Sequence, residues 1–197
     1  MFRLWFVVTC LALGAGGSHA GPADDGRWYA GAYSFSDELG GFHILHASGS
    51  GTRDDPIVLV QRLVSASAVT LVIEAAQPIN PVGKGAQWAT GMMHIRIVTV
   101  NHSGLPWIGF NFELQEILGT PSTFGDGLSF DQRKAESNSI SMDRFDRYER
   151  QFEPYDRLTF TGGHVDPDER ATFRFFISDF TPLVRTYLLL DPQIPFS

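Results

Sequence analysis

Ile108-Gly109-Phe110-Asn111-Phe112-Glu113-Leu114 alternates apolar residues with small or polar ones. Successive side chains of a strand point to opposite faces, so Ile108, Phe110, Phe112 and Leu114 share one face, and Gly109, Asn111 and Glu113 the other. A second run, Thr172-Phe173-Arg174-Phe175-Phe176-Ile177, places Phe173, Phe175 and Ile177 together. One packed face and one wetted face is the pattern of antiparallel sheets, which parallel sheets rarely show.

Outward from these two runs, apolar bursts rich in Val, Ile and Phe alternate with Gly, Pro, Asp and Ser, the punctuation of strands and turns. Further strands are expected at 28–35, 42–47, 57–64, 69–75, 92–101, 157–161 and 186–190, with the first two runs extended to 107–117 and 171–178. Short strands without helical crossovers predict an all-β fold, an antiparallel β-sandwich of Ig-like or Greek-key type. The sixteen phenylalanines fit the gap of roughly 10 Å between two facing sheets. The spacing of Met142, Phe145, Tyr148 and Phe152 predicts one short amphipathic helix over 141–152. Ser141 would cap it, Asp143–Arg147 and Asp146–Arg150 would support it, and Pro154 would stop it.

With 197 residues, 43% hydrophobic and 19% charged, the chain has ample apolar content for a core and excludes disorder. One cysteine excludes a disulfide scaffold, and a net charge of −7 argues against nucleic acid as a partner. Met1-Phe2-Arg3, the apolar run from Leu4 to Leu13 and Ser18-His19-Ala20 have the parts of a secretory signal peptide. Its apolar run is shorter than the ~20 residues of a spanning helix. The expectation is a signal peptide at 1–20, with Cys10 inside it, then a single exported domain over 21–197, periplasmic or extracellular, without a transmembrane segment. Within that domain, the Pro/Gly-rich stretch 78–89 separates an N-terminal strand group, 28–76, from the Phe-rich remainder. A long polar connection spans 120–138.

Thr123-Phe124-Gly125-Asp126-Gly127 resembles the Phe-Gly-Asp-Ser block of secreted SGNH-type lipases. The nucleophile position of that block is Gly127 here, so no acyl intermediate can form on it. His43 and His46, three apart on a strand, face opposite ways and make a poor metal pair. Carboxylates gather in loops: Asp54 and Asp55, Asp126, and Asp166 with Asp168. Loops at one end of a sandwich would bring these to a calcium ion; turn formation is the simpler role of Asp and Pro there. The segment 162–168 reads as a hairpin loop. Trp28, Trp88 and Trp107 are the tryptophans beyond residue 20, and an exposed indole would stack on a sugar ring.

Val98-Thr99-Val100-Asn101-His102-Ser103-Gly104-Leu105-Pro106-Trp107, followed by Leu158-Thr159-Phe160-Thr161 and Phe173-x-Phe175, is similar to the Ig-like β-sandwich modules of exported bacterial proteins. The resemblance covers 92–190. Modules of that kind are often tethered by a C-terminal sorting signal, whereas Asp191-Pro192-Gln193-Ile194-Pro195-Phe196-Ser197 has neither an apolar anchor nor a basic tail. Gly49-Ser50-Gly51-Thr52-Arg53-Asp54-Asp55-Pro56-Ile57-Val58 resembles the opening of some secreted right-handed β-helix proteins, but no coil repeats follow it.

No complete catalytic constellation stands in the sequence. The residues therefore point to a non-enzymatic binding or interaction module, its partner a protein or a glycan. Two alternatives remain: a carbohydrate-binding module using its tryptophans, and an exported hydrolase whose site assembles from distant residues.

Overall fold

Phe110, Phe112 and Phe160 meet Phe173 and Phe175 across the middle of the molecule, at ring separations of 4.9 to 5.0 Å. The first three belong to one sheet and the last two to another. The structure, a computed structural model, describes residues 21–131 and 139–195; the leader expected at 1–20 lies outside the described residues.

The strands run β1 (Trp28–Ala30), β2 (Tyr33–Ser36), β3 (Phe42–Ser48), β4 (Ile57–Leu63) and β5 (Val69–Ala75). They continue with β6 (Met92–Asn101), β7 (Trp107–Gln115), β8 (Leu128–Ser129), β9 (Ser141–Met142) and β10 (Arg147–Gln151). The last are β11 (Arg157–Val165), β12 (Arg170–Asp179) and β13 (Arg185–Gln193). One sheet has the order β1-β2-β5-β13-β7-β11-β10, and the second β3-β4-β6-β12-β8, with β9 also on β12. β4 and β6 pair in parallel, and the other strand pairs are antiparallel. The fold is an all-β sandwich with its core between the two sheets. The strands of 28–76 enter both: β5 pairs with β13, and β4 with β6. Among the described residues no helix is long and apolar enough to cross a membrane.

The alternation in β12 holds as expected, with Phe173, Phe175 and Ile177 all buried. In β7 it holds for Phe110, Phe112 and Leu114 but changes phase at Gly109. Ile108 is 47% exposed, and Trp107 is fully buried instead. A register shift in the partner strand β11, between Thr161 and Val165, accompanies the change and sets Val165 opposite Trp107.

The helix expected over 141–152 does not form. Ser141 and Met142 pair with β12 as β9, and Arg147–Gln151 pair with β11 as β10. Phe145 is buried and stacks on Phe173 at 5.9 Å, while Tyr148 stays half exposed. The charged residues of the expected helix pairs take other work: Asp143 Oδ1 accepts the Thr172 N–H at 2.8 Å, and Arg150 donates to the Phe130 carbonyl at 3.0 Å. An isolated helix this short is marginal in water, whereas β11 and β12 offer open edges whose backbone groups need partners.

The segment 162–168 also differs from the hairpin loop expected there. β11 runs on to Val165, and the short link that follows carries the chain from the first sheet to β12 in the second.

Candidate functional site

β6 alternates without a break: Met93, Ile95 and Ile97 point into the core, and Met92, His94, Arg96, Val98 and Val100 point out. At the start of this strand two loops rise beside its outer face. The first, residues 49–56, is closed by Ser50 and Gly51 N–H groups donating to the Asp55 carbonyl at 3.1 and 3.0 Å. The His94 N–H donates to the Gly51 carbonyl at 2.9 Å and ties this loop to β6. The second, residues 78–90, closes through Ala89 N–H to the Pro78 carbonyl and Asn80 N–H to the Ala89 carbonyl, both 3.0 Å.

Between the loops lies a cleft of about 430 Å³, with Trp88, Tyr33, Arg53, His94 and Phe176 among its walls. Trp88 is partly exposed, and its indole lies against the backbone of Gly83. A Cβ at Gly83 would come within 2.6 Å of the indole ring, so glycine is what permits the close approach. His94 and Phe176 are cross-strand partners, and their rings stack at 4.5 Å on the cleft floor. The hydroxyls of Ser50 and Thr52 stand 3.2 Å apart on one wall. The Tyr33 hydroxyl accepts the Gly91 N–H at 2.9 Å, and burial pushes its ionisation upward, so it remains a neutral phenol. The cleft therefore offers aromatic planes, hydroxyls and a guanidinium.

The other two tryptophans lie elsewhere. Trp28 is 8% exposed and Trp107 fully buried, each packed in the core. The Trp107 indole N–H donates to the Ser103 hydroxyl at 3.2 Å, in a turn where Asn101 Oδ1 accepts from that hydroxyl at 2.7 Å. The carboxylates do not converge. Asp54 and Asp55 are exposed in the loop 49–56. Asp126 sits beside the end of β12 and folds its own loop, accepting from the N–H groups of Thr123 and Leu128. Asp166 and Asp168 precede β12, a full ten-residue strand away, or roughly 33 Å. Among the described residues no group of three or more His, Cys, Asp or Glu could hold a metal ion.

Two other places carry chemistry of a kind. His102 Nδ1 is 2.8 Å from Asp168 Oδ1, but both side chains are largely exposed, and among the described residues no hydroxyl is bonded to the second ring nitrogen. Asp156 is fully buried. Burial pushes its carboxyl up to about 6, offset in part by the neighbouring Ser129 hydroxyl and the Phe130 N–H. Its Oδ1 accepts that N–H at 3.2 Å, which pins the 120–131 connection to β11. Asp156 is sealed from solvent and cannot touch a ligand.

The outward face of the second sheet carries basic residues that form no motif in the sequence. Arg96 and Arg174 are direct cross-strand partners, and Arg62 and Arg170 flank Val100. The alternation that identified the inward phenylalanines also marks these residues as outward. Comparison with protein-family models, curated proteins and solved structures finds no match for this chain.

Proposed function

We propose that the protein is a non-enzymatic, exported binding module, an Ig-like or Greek-key sandwich that holds a carbohydrate in the Trp88 cleft. The observation that carries this reading is the separation of the tryptophans. Trp28 and Trp107 are packed in the core, whereas Trp88 lies partly exposed on a cleft wall with Ser50 and Thr52 hydroxyls nearby. An indole offers an apolar plane to the C–H face of a sugar ring, and hydroxyls suit the ring's polar rim. The cleft falls within the roughly 300–1,000 Å³ of ligand pockets, and it is built from loops held on a rigid sheet. Export rests on the signal-peptide pattern of residues 1–20.

A hydrolytic reading has less support. The His102–Asp168 pair sits at the far end of β6 from the cleft, so this acid–base pair and the Trp88 cleft do not share a site.

Titration against a panel of neutral and charged oligosaccharides tests the proposal. Binding to at least one class is expected, weakened about 30-fold in Trp88→Ala, the cost of truncating a central aromatic anchor. Absence of binding across the panel, or full affinity in Trp88→Ala, would refute it.

A further inference from the structure

Strands β3, β4, β6 and β12 carry Arg62, Arg96, Arg170 and Arg174, with His43, His46 and His94, against a single carboxylate, the buried Asp179. This basic sheet belongs to a chain of net charge −7. Its outer face is ordered in rows by the register. His94 and Phe176 form the row at the cleft floor; Arg96 and Arg174 form the next, roughly 7 Å along. Arg62, Val100 and Arg170 form a third row roughly 13 Å farther on.

Like charges directly opposite on paired strands repel, so Arg96 facing Arg174 costs stability. Among the described residues neither arginine is in an ion pair, nor are Arg62 and Arg170. Arg96 Nε is buried with no hydrogen-bond acceptor. A second cavity, about 210 Å³, opens beside Arg174 with Ser139 and Ser141, and shares Arg53 and His94 with the Trp88 cleft. The two cavities thus adjoin at Arg53 and His94, one bordered by the indole and the other by Arg174. Among the described residues, acids stand at its margins: Asp54 and Asp55 in the loop 49–56, Asp143 on the Thr172 N–H, Glu169 beside Arg170 and in an ion pair with Arg144, and Asp37 at 3.8 Å from His43.

We infer that the ligand is an acidic polysaccharide, one sugar ring seated against Trp88 and its carboxylates or sulfates meeting Arg96 and Arg174. The inference rests on the carbohydrate reading of the cleft and adds the charge. Guanidinium groups bind such anions through paired N–H donors, and Arg96 and Arg174 would exchange mutual repulsion for a shared anion. An extended acidic peptide is a poorer fit, because β4 and β6 already use their backbone groups within the sheet on both sides, and β8 and β9 pair along the outer edge of β12. Nucleic acid is poorer still: its dense phosphates would extend past this face onto an acidic protein.

The experiment is isothermal titration of the protein with a polyuronate, its carboxyl-reduced neutral counterpart, poly-glutamate and a single-stranded oligonucleotide, at about 50 and 200 mM salt. The polyuronate is expected to bind about tenfold more tightly than the neutral polymer, and to weaken with salt. Arg96→Gln and Arg174→Gln are each expected to lose about tenfold on the polyuronate and nothing on the neutral polymer, while Trp88→Ala weakens both. Melting temperatures of the arginine variants should equal or exceed that of the parent, since a like-charge contact is removed. Arg174→Lys, which keeps charge but not the fork, should fall between.

Equal affinity for acidic and neutral polymers overturns this inference and leaves the carbohydrate reading standing. No affinity for either overturns both. Poly-glutamate or the oligonucleotide binding as tightly as the polyuronate overturns the ligand class. A polyuronate preference untouched by both glutamine variants overturns the placement.

Discussion

Replacing Asp156 with Asn should stabilise the protein at neutral pH, although it removes a buried hydrogen-bonding carboxylate. In the folded state Asp156 is sealed from water, and its ionisation is raised from 3.8 to about 6. Between those values the folded protein holds a proton that the unfolded chain has released, so stability falls as pH rises through this window. About two pKa units at 1.36 kcal/mol each give a loss of about 3 kcal/mol, complete above pH 6 and absent below about 4. Asn has the same shape and no charge. Its Oδ1 can still accept the Phe130 N–H, and its amide would stand beside the Ser129 hydroxyl. Urea denaturation of both proteins at pH 3.5, 5 and 7 measures the difference. Asp156→Asn should match the parent near pH 3.5 and exceed it by about 3 kcal/mol at pH 7. A residual fall with pH should survive in the variant, because burial also raises Asp179. If Asp156→Asn is less stable than the parent at pH 7, the ionised carboxylate is favourable there, and the reasoning from burial fails.

Other perturbations follow from the same structure. Phe173→Ala empties the position where Phe110, Phe112, Phe145 and Phe160 converge. It should cost about 3–5 kcal/mol in urea unfolding, and a loss below about 1 would contradict the packing described. Gly83→Ala should displace the Trp88 indole and reduce saccharide binding with little change in melting temperature; intact binding would show that the indole does not depend on that approach. EDTA should leave the melting temperature unchanged, because Asp126 stands a strand length from Asp166 and Asp168. A clear drop would require carboxylates that the fold holds apart to share an ion.

The period-two runs were enough to read most of the sandwich from the sequence. Strand alternation is set by local geometry, so Phe173, Phe175 and Ile177 identify their own buried face. The helix expected at 141–152 shows the limit of that reasoning. Its three- and four-residue spacings are genuine, but the edges of β11 and β12 supply backbone partners, and edges made by distant strands leave no local trace. Trp107 and Ile108 exchange roles for a similar reason, since the phase change at Gly109 accompanies a register shift in β11. For the cleft, Trp88 was among the candidates, but its separation from Trp28 and Trp107 depends on which loops cover which face. Arg96 and Arg174 were legible in principle, as the outward partners of inward residues. Their pairing across β6 and β12 is long-range register, which no single stretch of sequence encodes.

Resonance mapping of the protein with increasing polyuronate tests the central claim most directly. The indole N–H of Trp88 and the backbone amides of His94, Arg96, Arg174 and Phe176 should shift together and saturate at one stoichiometry. The buried indole N–H of Trp107 should stay where it is. Shifts centred on the His102–Asp168 end or on the β10 edge, with Trp88 unmoved, would contradict the account.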